Sequence, residues 1–250
     1  MLLIDPPAWP AHGRLWSHLV SDTSVEELHA FASRLGIPRR GFEGDHYDVP
    51  EERYAAVVAA GAHPIDGREL LKRLRDSGLR IAKRKHERVL QSTANAPWLP
   101  PGGRADVITS RQDDPPPNTV VVRLAVTGPG GLLVERRPDG DPDLPSRAVV
   151  PGSAAAVLAD LVASTVGSAG RGVPTLIGYV RNVVRDPDVA YPWPTPFACF
   201  AVHALSTDRL PAPSGEWIAL EDSASRLGHR HWWPVVALHL GLISVDAAHD

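Results

Sequence analysis

Apolar positions recur every three or four residues in several segments, and this spacing predicts α-helices. Two of these segments begin with a capping pattern, Ser24 with Glu27 and Asp66 with Glu69. Alternating or β-branched apolar runs between them predict strands. The predicted helices cover residues 24–35, 51–60, 68–77, 154–165 and 233–242, and the predicted strands cover residues 2–4, 15–20, 63–65, 119–126, 132–135, 176–184, 197–205 and 217–220.

Proline and glycine cluster between the two halves of this pattern. Residues 96–118 contain repeated prolines and little periodic apolar sequence, which is typical of an extended linker. We therefore predict a small α/β domain over residues 1–90, a linker over residues 91–117 and a mixed-sheet domain over residues 118–242. The fold class is α/β for the first domain and α+β for the second.

Composition narrows the classes of protein. The chain has 250 residues, a net charge of −3 and one cysteine, Cys199. This charge excludes a globally basic nucleic-acid-binding protein, and one cysteine excludes an intrachain disulfide and an all-cysteine metal site. The sequence has no apolar run long enough to span a membrane, and we do not expect its first residues to form a signal peptide. We expect a cytoplasmic bacterial protein with no membrane partner. The sequence leaves open whether the protein forms a homodimer.

Histidine and aspartate concentrate near the predicted strand ends of the first domain. Asp5 follows one strand, His18 and Asp22 lie on and after another, and alternation places His46 and Asp48 on one face. Because strand ends converge at a sheet edge, we expect an active site there. The candidate catalytic residues are Asp5, His18, Asp22, His46 and Asp48, and the candidate ligand-binding residues are Arg14 and Tyr47.

Three interpretations of this group remain open on the sequence. Imidazole and carboxylate groups bind Zn, Mn or Fe, so His18, His46 and Asp48 are candidate ligands of a divalent metal cofactor. The same groups without metal would supply acid–base catalysis or ligand binding. In the third interpretation they form structural hydrogen bonds, with Asp22 and Asp48 acting as helix caps.

Residues 1–86 resemble a small bacterial and phage family, the domain of unknown function numbered 4031. The motifs that carry the resemblance are Ser17-His18-Leu-Val-Ser-Asp22, Glu27-Leu-His29-Ala-Phe31 and Gly44-Asp-His-Tyr-Asp48. The resemblance implies a shared domain and brings no reaction with it.

Residues 118–240 resemble a Nudix hydrolase domain, through a strand–turn–strand ending in Glu135, a helix ending before Gly167 and a closing strand at Trp217. That family holds a divalent metal with glutamates of a loop–helix–loop signature. The corresponding positions here are Arg147, Ser153, Asp160, Leu161, Ser164 and Thr165. The resemblance therefore implies the fold without the catalytic glutamates. The domain is either structural or dimerising, or it retains a nucleotide-like ligand.

Two further features have alternative interpretations. The loop Tyr191-Pro-Trp193-Pro either stacks on a base or packs on its own domain. The basic run of residues 72–88 either contacts phosphates or forms a solvated surface. Its basic residues are Lys72, Arg73, Arg75, Arg80, Lys83, Arg84, Lys85 and Arg88.

The leading functional hypothesis is a nucleotide- or phosphoester-directed hydrolase with its active site in the first domain and a degenerate Nudix-like second domain. Canonical Nudix pyrophosphohydrolase activity is not expected. The alternative is a non-enzymatic protein that binds a small-molecule or nucleotide ligand or acts as a scaffold. A second alternative is a nucleic-acid-associated factor that uses the basic run.

Overall fold

The computed structural model describes residues 1–149, 152–167, 170–185, 187, 190–208 and 215–244. The described chain forms two compact units, residues 1–83 and the described residues from 84 to 244. Each unit combines helices with a sheet that has both parallel and antiparallel pairs. The predicted fold class, a small α/β domain followed by a larger mixed-sheet domain, is therefore confirmed.

The first unit contains five strands and three helices in its described residues. The elements are β1 (Leu2–Ile4), β2 (Trp9–Ala11), β3 (Arg14–Ser21), α1 (Val25–Arg34), a 3-10 turn (Arg39–Gly41), β4 (Tyr47–Pro50), α2 (Glu51–Ala59), β5 (His63–Pro64) and α3 (Gly67–Asp76). Strand β3 is central, because it pairs antiparallel with β1, β2 and β4. Strand β5 runs parallel to β1 and completes a five-stranded sheet.

Side-chain alternation along β3 gives this sheet a core on each face. Leu19 packs with Phe31 of α1 and Val57 of α2, whereas Val20 packs with Leu70 of α3. Both predicted helix caps form. The Ser24 hydroxyl accepts a hydrogen bond from Glu27 N at 3.0 Å, and the Asp66 carboxylate accepts one from Arg68 N at 2.8 Å.

The second unit contains a nine-stranded sheet with helices packed on it. The elements are β6 (Glu87–Ala94), β7 (Arg104–Ser110), β8 (Thr119–Gly128), β9 (Gly131–Arg136), β10 (Pro142–Asp143), β11 (Ser146–Ala148), α4 (Ala154–Thr165), β12 (Gly170–Val183), β13 (Phe197–Thr207), β14 (Glu216–Ile218), α5 (Leu220–Leu227) and α6 (Trp233–His239). The main strand order is β10-β9-β8-β13-β12-β7-β6, with β11 also pairing with β8 and β14 with β9. Strands β8 and β13 are parallel neighbours.

Helices cover both faces of this larger sheet. Helix α4 buries Leu161 against Val122 and Leu124 of β8. The opposite face of the sheet packs on α5 and α6 through a second core that includes Leu227 and Val236. The apolar face predicted for the helix over residues 154–165 is therefore present.

The structure differs from the linker predicted over residues 91–117, because half of β6 and all of β7 lie within that range and pair in the sheet. The first unit also ends at residue 83 rather than at residue 90. The prolines and glycines belong to the tight connection between β6 and β7, where Ala96 N donates to the Gly103 carbonyl at 3.1 Å, and to the segment after β7. The many prolines and glycines between and after β6 and β7 made this part of the sequence resemble a linker, so the two strands were not predicted.

No helix in the described ranges is both long and apolar enough to cross a membrane.

Candidate metal centre

Asp5 lies opposite His18 because the antiparallel register of β1 and β3, in which Ile4 pairs with Leu19, continues for one more residue. Asp5 N donates to the His18 carbonyl at 3.3 Å, and His18 N donates in return to Asp5 Oδ1. Asp5 Oδ2 lies 2.9 Å from His18 Nδ1 and accepts a 3.3 Å hydrogen bond from Trp9 Nε1. The buried Asp5 carboxylate therefore fixes both the backbone and the ring of His18.

Strand pairing brings His46 and Asp48 to the same place. Residues His18 and Asp48 are direct partners in the antiparallel pair of β3 and β4. His46 lies two residues before Asp48, and its Nε2 is 3.5 Å from Asp48 Oδ1. The imidazole centroids of His18 and His46 are 5.1 Å apart. One ligand atom from each of the three residues lies within 4.8 Å of the others.

Asp45 completes this cluster and is not among the site residues predicted from the sequence. Its buried carboxylate lies 2.6 Å from His46 Nδ1 and accepts hydrogen bonds from Ile81 N at 2.6 Å and Arg80 Nη1 at 3.1 Å. The available signal was its position directly before His46, since an adjacent carboxylate is a common partner of a ligating histidine.

The cluster is strongly charged. Burial opposes a charge on His46, but hydrogen bonds to Asp45 and Asp48 outweigh it and raise the pKa of His46 to about 9. Burial likewise opposes ionisation of Asp45 and Asp48, and the contacts with His46 dominate and lower the pKa of each carboxyl. The residues thus surround one positive charge with carboxylates, and a divalent cation would replace the His46 proton.

Both histidines use Nδ1 to contact a buried aspartate, Asp5 for His18 and Asp45 for His46. An ionised carboxylate only accepts hydrogen bonds, so Nδ1 carries the proton and Nε2 remains as the ligating atom. Two imidazoles and the Asp48 carboxylate make a two-histidine, one-carboxylate set. Three protein ligands leave coordination positions for water or substrate, which is typical of catalytic sites.

Two of the predicted residues, Arg14 at the start of β3 and Asp22 directly after its end, lie outside the cluster. Asp22 is four residues beyond His18, about 13 Å along a strand, and its carboxylate accepts a 2.7 Å hydrogen bond from the Met1 amine. Arg14 is exposed and forms a 3.2 Å ion pair with Glu52. The structure therefore corrects the prediction that Asp22 is catalytic and that Arg14 binds a ligand at this site.

Tyr47 also differs from its predicted role as a ligand-binding residue. It lies between His46 and Asp48, so strand alternation turns its side chain to the other face of the sheet. There it is buried in the core with Phe42, and its hydroxyl lies 2.8 Å from His29 Nδ1. Tyr47 is therefore a core residue, and His29 is a packing histidine.

The basic run is largely neutralised by acidic neighbours. Lys72 pairs with Asp76 at 3.2 Å, and Lys83 pairs with Glu43 at 2.9 Å. Three further members also form ion pairs: Arg73, Arg80 and Arg84. These contacts give the run a structural role and do not favour a phosphate-binding surface.

In the second unit, the positions aligned with the Nudix signature serve the fold. Ser153 caps α4 by accepting from Ala156 N at 3.1 Å, Leu161 is buried, and Asp160 is exposed. Throughout the described ranges, His18, His46 and Asp48 are the only group of three potential ligand residues that converge.

Two comparisons with known proteins found similarities. Residues 2–77 match the family model described as "Protein of unknown function (DUF4031)". The C-terminal region is similar to the structure of the Bacillus subtilis pyrophosphohydrolase BsRppH, with 14% identity and a TM-score of 0.32. That alignment covers 45% of this chain and 65% of the Bacillus chain. No curated protein matches the sequence.

Proposed function

We propose that the first unit is a divalent-metal-dependent hydrolase that acts on phosphoesters, nucleotides included. The observation that carries the proposal is the convergence of His18, His46 and Asp48 within 4.8 Å, with a buried aspartate behind each histidine. A structural hydrogen-bond network has no need for two histidine–aspartate pairs that face a third carboxylate. A metal site needs a buried partner behind each histidine, because the partner holds the ligating ring in one tautomer and orientation.

Each residue has a defined part in this proposal. Nε2 of His18 and His46 and the carboxylate of Asp48 would hold the cation. Asp5 and Asp45 are positioning residues that act through the two rings. When bound, the cation supplies a Lewis acid and lowers the pKa of a coordinated water.

The support for an anionic substrate such as a phosphoester comes from the cation that the cluster would hold, because the nearby Lys83 is already paired with Glu43. Lys83 Nζ is held by the carbonyl and the carboxylate of Glu43, at 2.8 and 2.9 Å. Its charge helps to lower the pKa of Asp48, after the larger contribution of His46. The exposed ring of Trp9, 5.3 Å from the ring of His18, provides a wall beside the cluster. A divalent cation on the three ligands would add the charge that neutralises a phosphate.

The test is titration of the metal-free full chain with Zn²⁺ and Mn²⁺ in a calorimeter, followed by hydrolysis assays with a phosphodiester and a nucleoside diphosphate. We expect one ion per chain and turnover that a chelator removes. Asp48→Asn should weaken binding by at least about tenfold and abolish turnover. Glu52→Gln, an exposed change on α2, is the matched control and should leave both unchanged.

Absence of metal binding by the wild-type chain at micromolar concentrations would reject the proposed site. Metal binding without turnover on either substrate would reject the hydrolase and favour the non-enzymatic ligand-binding alternative.

A further inference from the structure

A cavity of about 580 Å³ opens within the second unit, on the face of the sheet that carries α6. Volumes of this size are typical of small-molecule sites. It lies away from α4, because Arg123 at its base alternates along β8 with Val122 and Leu124, which pack against α4. The side chains that matter here are Trp98, Arg123, Tyr191, Trp193, Phe200 and His231.

Aromatic rings form two walls of this cavity. The half-exposed ring of Trp98 stacks on His231, with centroids 5.7 Å apart and planes inclined by 22°. Trp193 meets Phe200 edge to face at 5.7 Å. Burial, with Arg123 nearby, lowers the pKa of His231 to about 4, so its ring is neutral at pH 7. Flat faces of this kind favour a planar ligand.

The connection between β6 and β7 that carries Trp98 is ordered by its own hydrogen bonds. Leu99 N donates to the Ala96 carbonyl at 2.9 Å, and Gly103 N donates to the Pro100 carbonyl at 2.9 Å. The first wall is therefore formed before any ligand arrives, which reduces the entropic cost of binding.

Arg123 supplies a charged group with unused donors. Its Nε and Nη1 are buried and have no hydrogen-bond partner in the described part of the chain. The Asp143 carboxylate is 4.0 Å from Nε and is already bound by Trp232 Nε1 and Leu144 N, each at 2.8 Å. A buried guanidinium with unused N–H groups is costly, and the charge of an anion in the adjoining cavity would offset that cost.

The charges around Arg123 do not replace such an anion. Burial lowers its pKa, Asp143 opposes this shift, and the neighbouring Arg137 and Arg230 add to it. The guanidinium also lies over the ring of Phe200, 5.7 Å from the centroid, which orients it without using its N–H groups.

We propose that this cavity binds a planar aromatic anion. Its ring would contact the walls made by Trp98 and Trp193, and its phosphate or carboxylate would pair with the guanidinium of Arg123, which lines the cavity. Two sources share this chemistry, a nucleoside monophosphate and an aromatic carboxylate. All the residues of this site belong to the second unit, whereas the proposed metal ligands belong to the first.

Calorimetric titration of the full chain with four probes tests the ligand class: adenosine monophosphate, indole-3-acetate, adenosine and inorganic phosphate. We expect at least one of the two ring anions to bind at one per chain. Adenosine and phosphate each lack half of the recognised chemistry and should bind at least about tenfold more weakly. Tighter binding of the nucleotide or of the indole carboxylate identifies the source.

Variants test the residues. Arg123→Gln should weaken binding of the ring anion by about tenfold or more, whereas Arg136→Gln, a change at an exposed arginine of the same unit, should not. Trp98→Ala is the second variant, because half of that side chain is exposed and its removal leaves the core intact. It should weaken binding severalfold.

Failure of both ring anions to bind at millimolar concentration would overturn the proposal. Equal binding by adenosine would also overturn it, as would unchanged binding in folded Arg123→Gln. If Arg123→Gln does not fold, unchanged binding by Trp98→Ala has the same consequence.

Discussion

Replacing Asp5 with asparagine should reverse the tautomer of His18. The wild-type carboxylate offers one oxygen to His18 N and the other to Nδ1 at 2.9 Å. An asparagine has one accepting oxygen, and the backbone N–H of β3 has no alternative tautomer. That oxygen therefore stays on His18 N, and the new NH₂ group faces Nδ1. The ring then carries its proton on Nε2, where the proposed metal would bind.

The size of the effect follows from the role of such partners. Loss of a hydrogen-bonded carboxylate behind a ligating histidine costs about 10–100-fold in metal affinity, or about 1.4–2.7 kcal/mol. Burial of Asp5 places this change near the upper end, because solvent cannot supply a replacement acceptor. The fold should survive, since the side chain keeps its shape and its hydrogen bond to His18 N.

Two measurements check this prediction on one sample. Nitrogen-15 NMR of the imidazoles reports which ring nitrogen of His18 carries the proton, and calorimetry reports Zn²⁺ affinity. Asp22→Asn is the matched control, because Asp22 contacts the Met1 amine and lies outside the cluster. A reversed tautomer with unchanged affinity would show that His18 does not bind the ion through Nε2. An unchanged tautomer would refute the argument from Asp5.

Two predictions concern the second unit. Leu161→Ala should lower the free energy of unfolding by about 2–5 kcal/mol, because Leu161 is fully buried between α4 and β8. The control is Asp160→Ala at the exposed neighbour, which should change the free energy of unfolding by less than about 0.5 kcal/mol. Urea denaturation compares the two variants, and equal effects would contradict the packing of α4. Burial lowers the pKa of His203 to about 4. As the pH falls below about 6.5, His203 therefore becomes protonated in the unfolded chain before it does in the folded chain. The folded chain should lose up to about 3 kcal/mol of stability as the pH falls from about 6.5 towards 4. His203→Gln should lose less stability than wild type over that range, and equal losses would argue against a buried neutral His203.

Local sequence determined many helices and strands because their causes lie within a few residues. The Ser24 and Asp66 caps start α1 and α3 where predicted, and the apolar spacing of residues 154–165 matches α4. The sequence missed β6 and β7 because prolines lie in the connection between them, and strand pairing depends on distant partners. It also missed Arg123, although a charged residue inside the apolar run of β8 was a usable signal.

The candidate metal centre divides in the same way. Alternation alone places His46 and Asp48 on one face and Tyr47 on the other, so the sequence contained the correction to Tyr47. Only the tertiary structure decided that His18 is paired opposite Asp48 and that Asp5 contacts the His18 ring. It also decided that Asp22, directly after the strand that carries His18, contacts the Met1 amine instead. Such proximity depends on strand pairing between residues far apart in the chain, and local patterns do not specify that register.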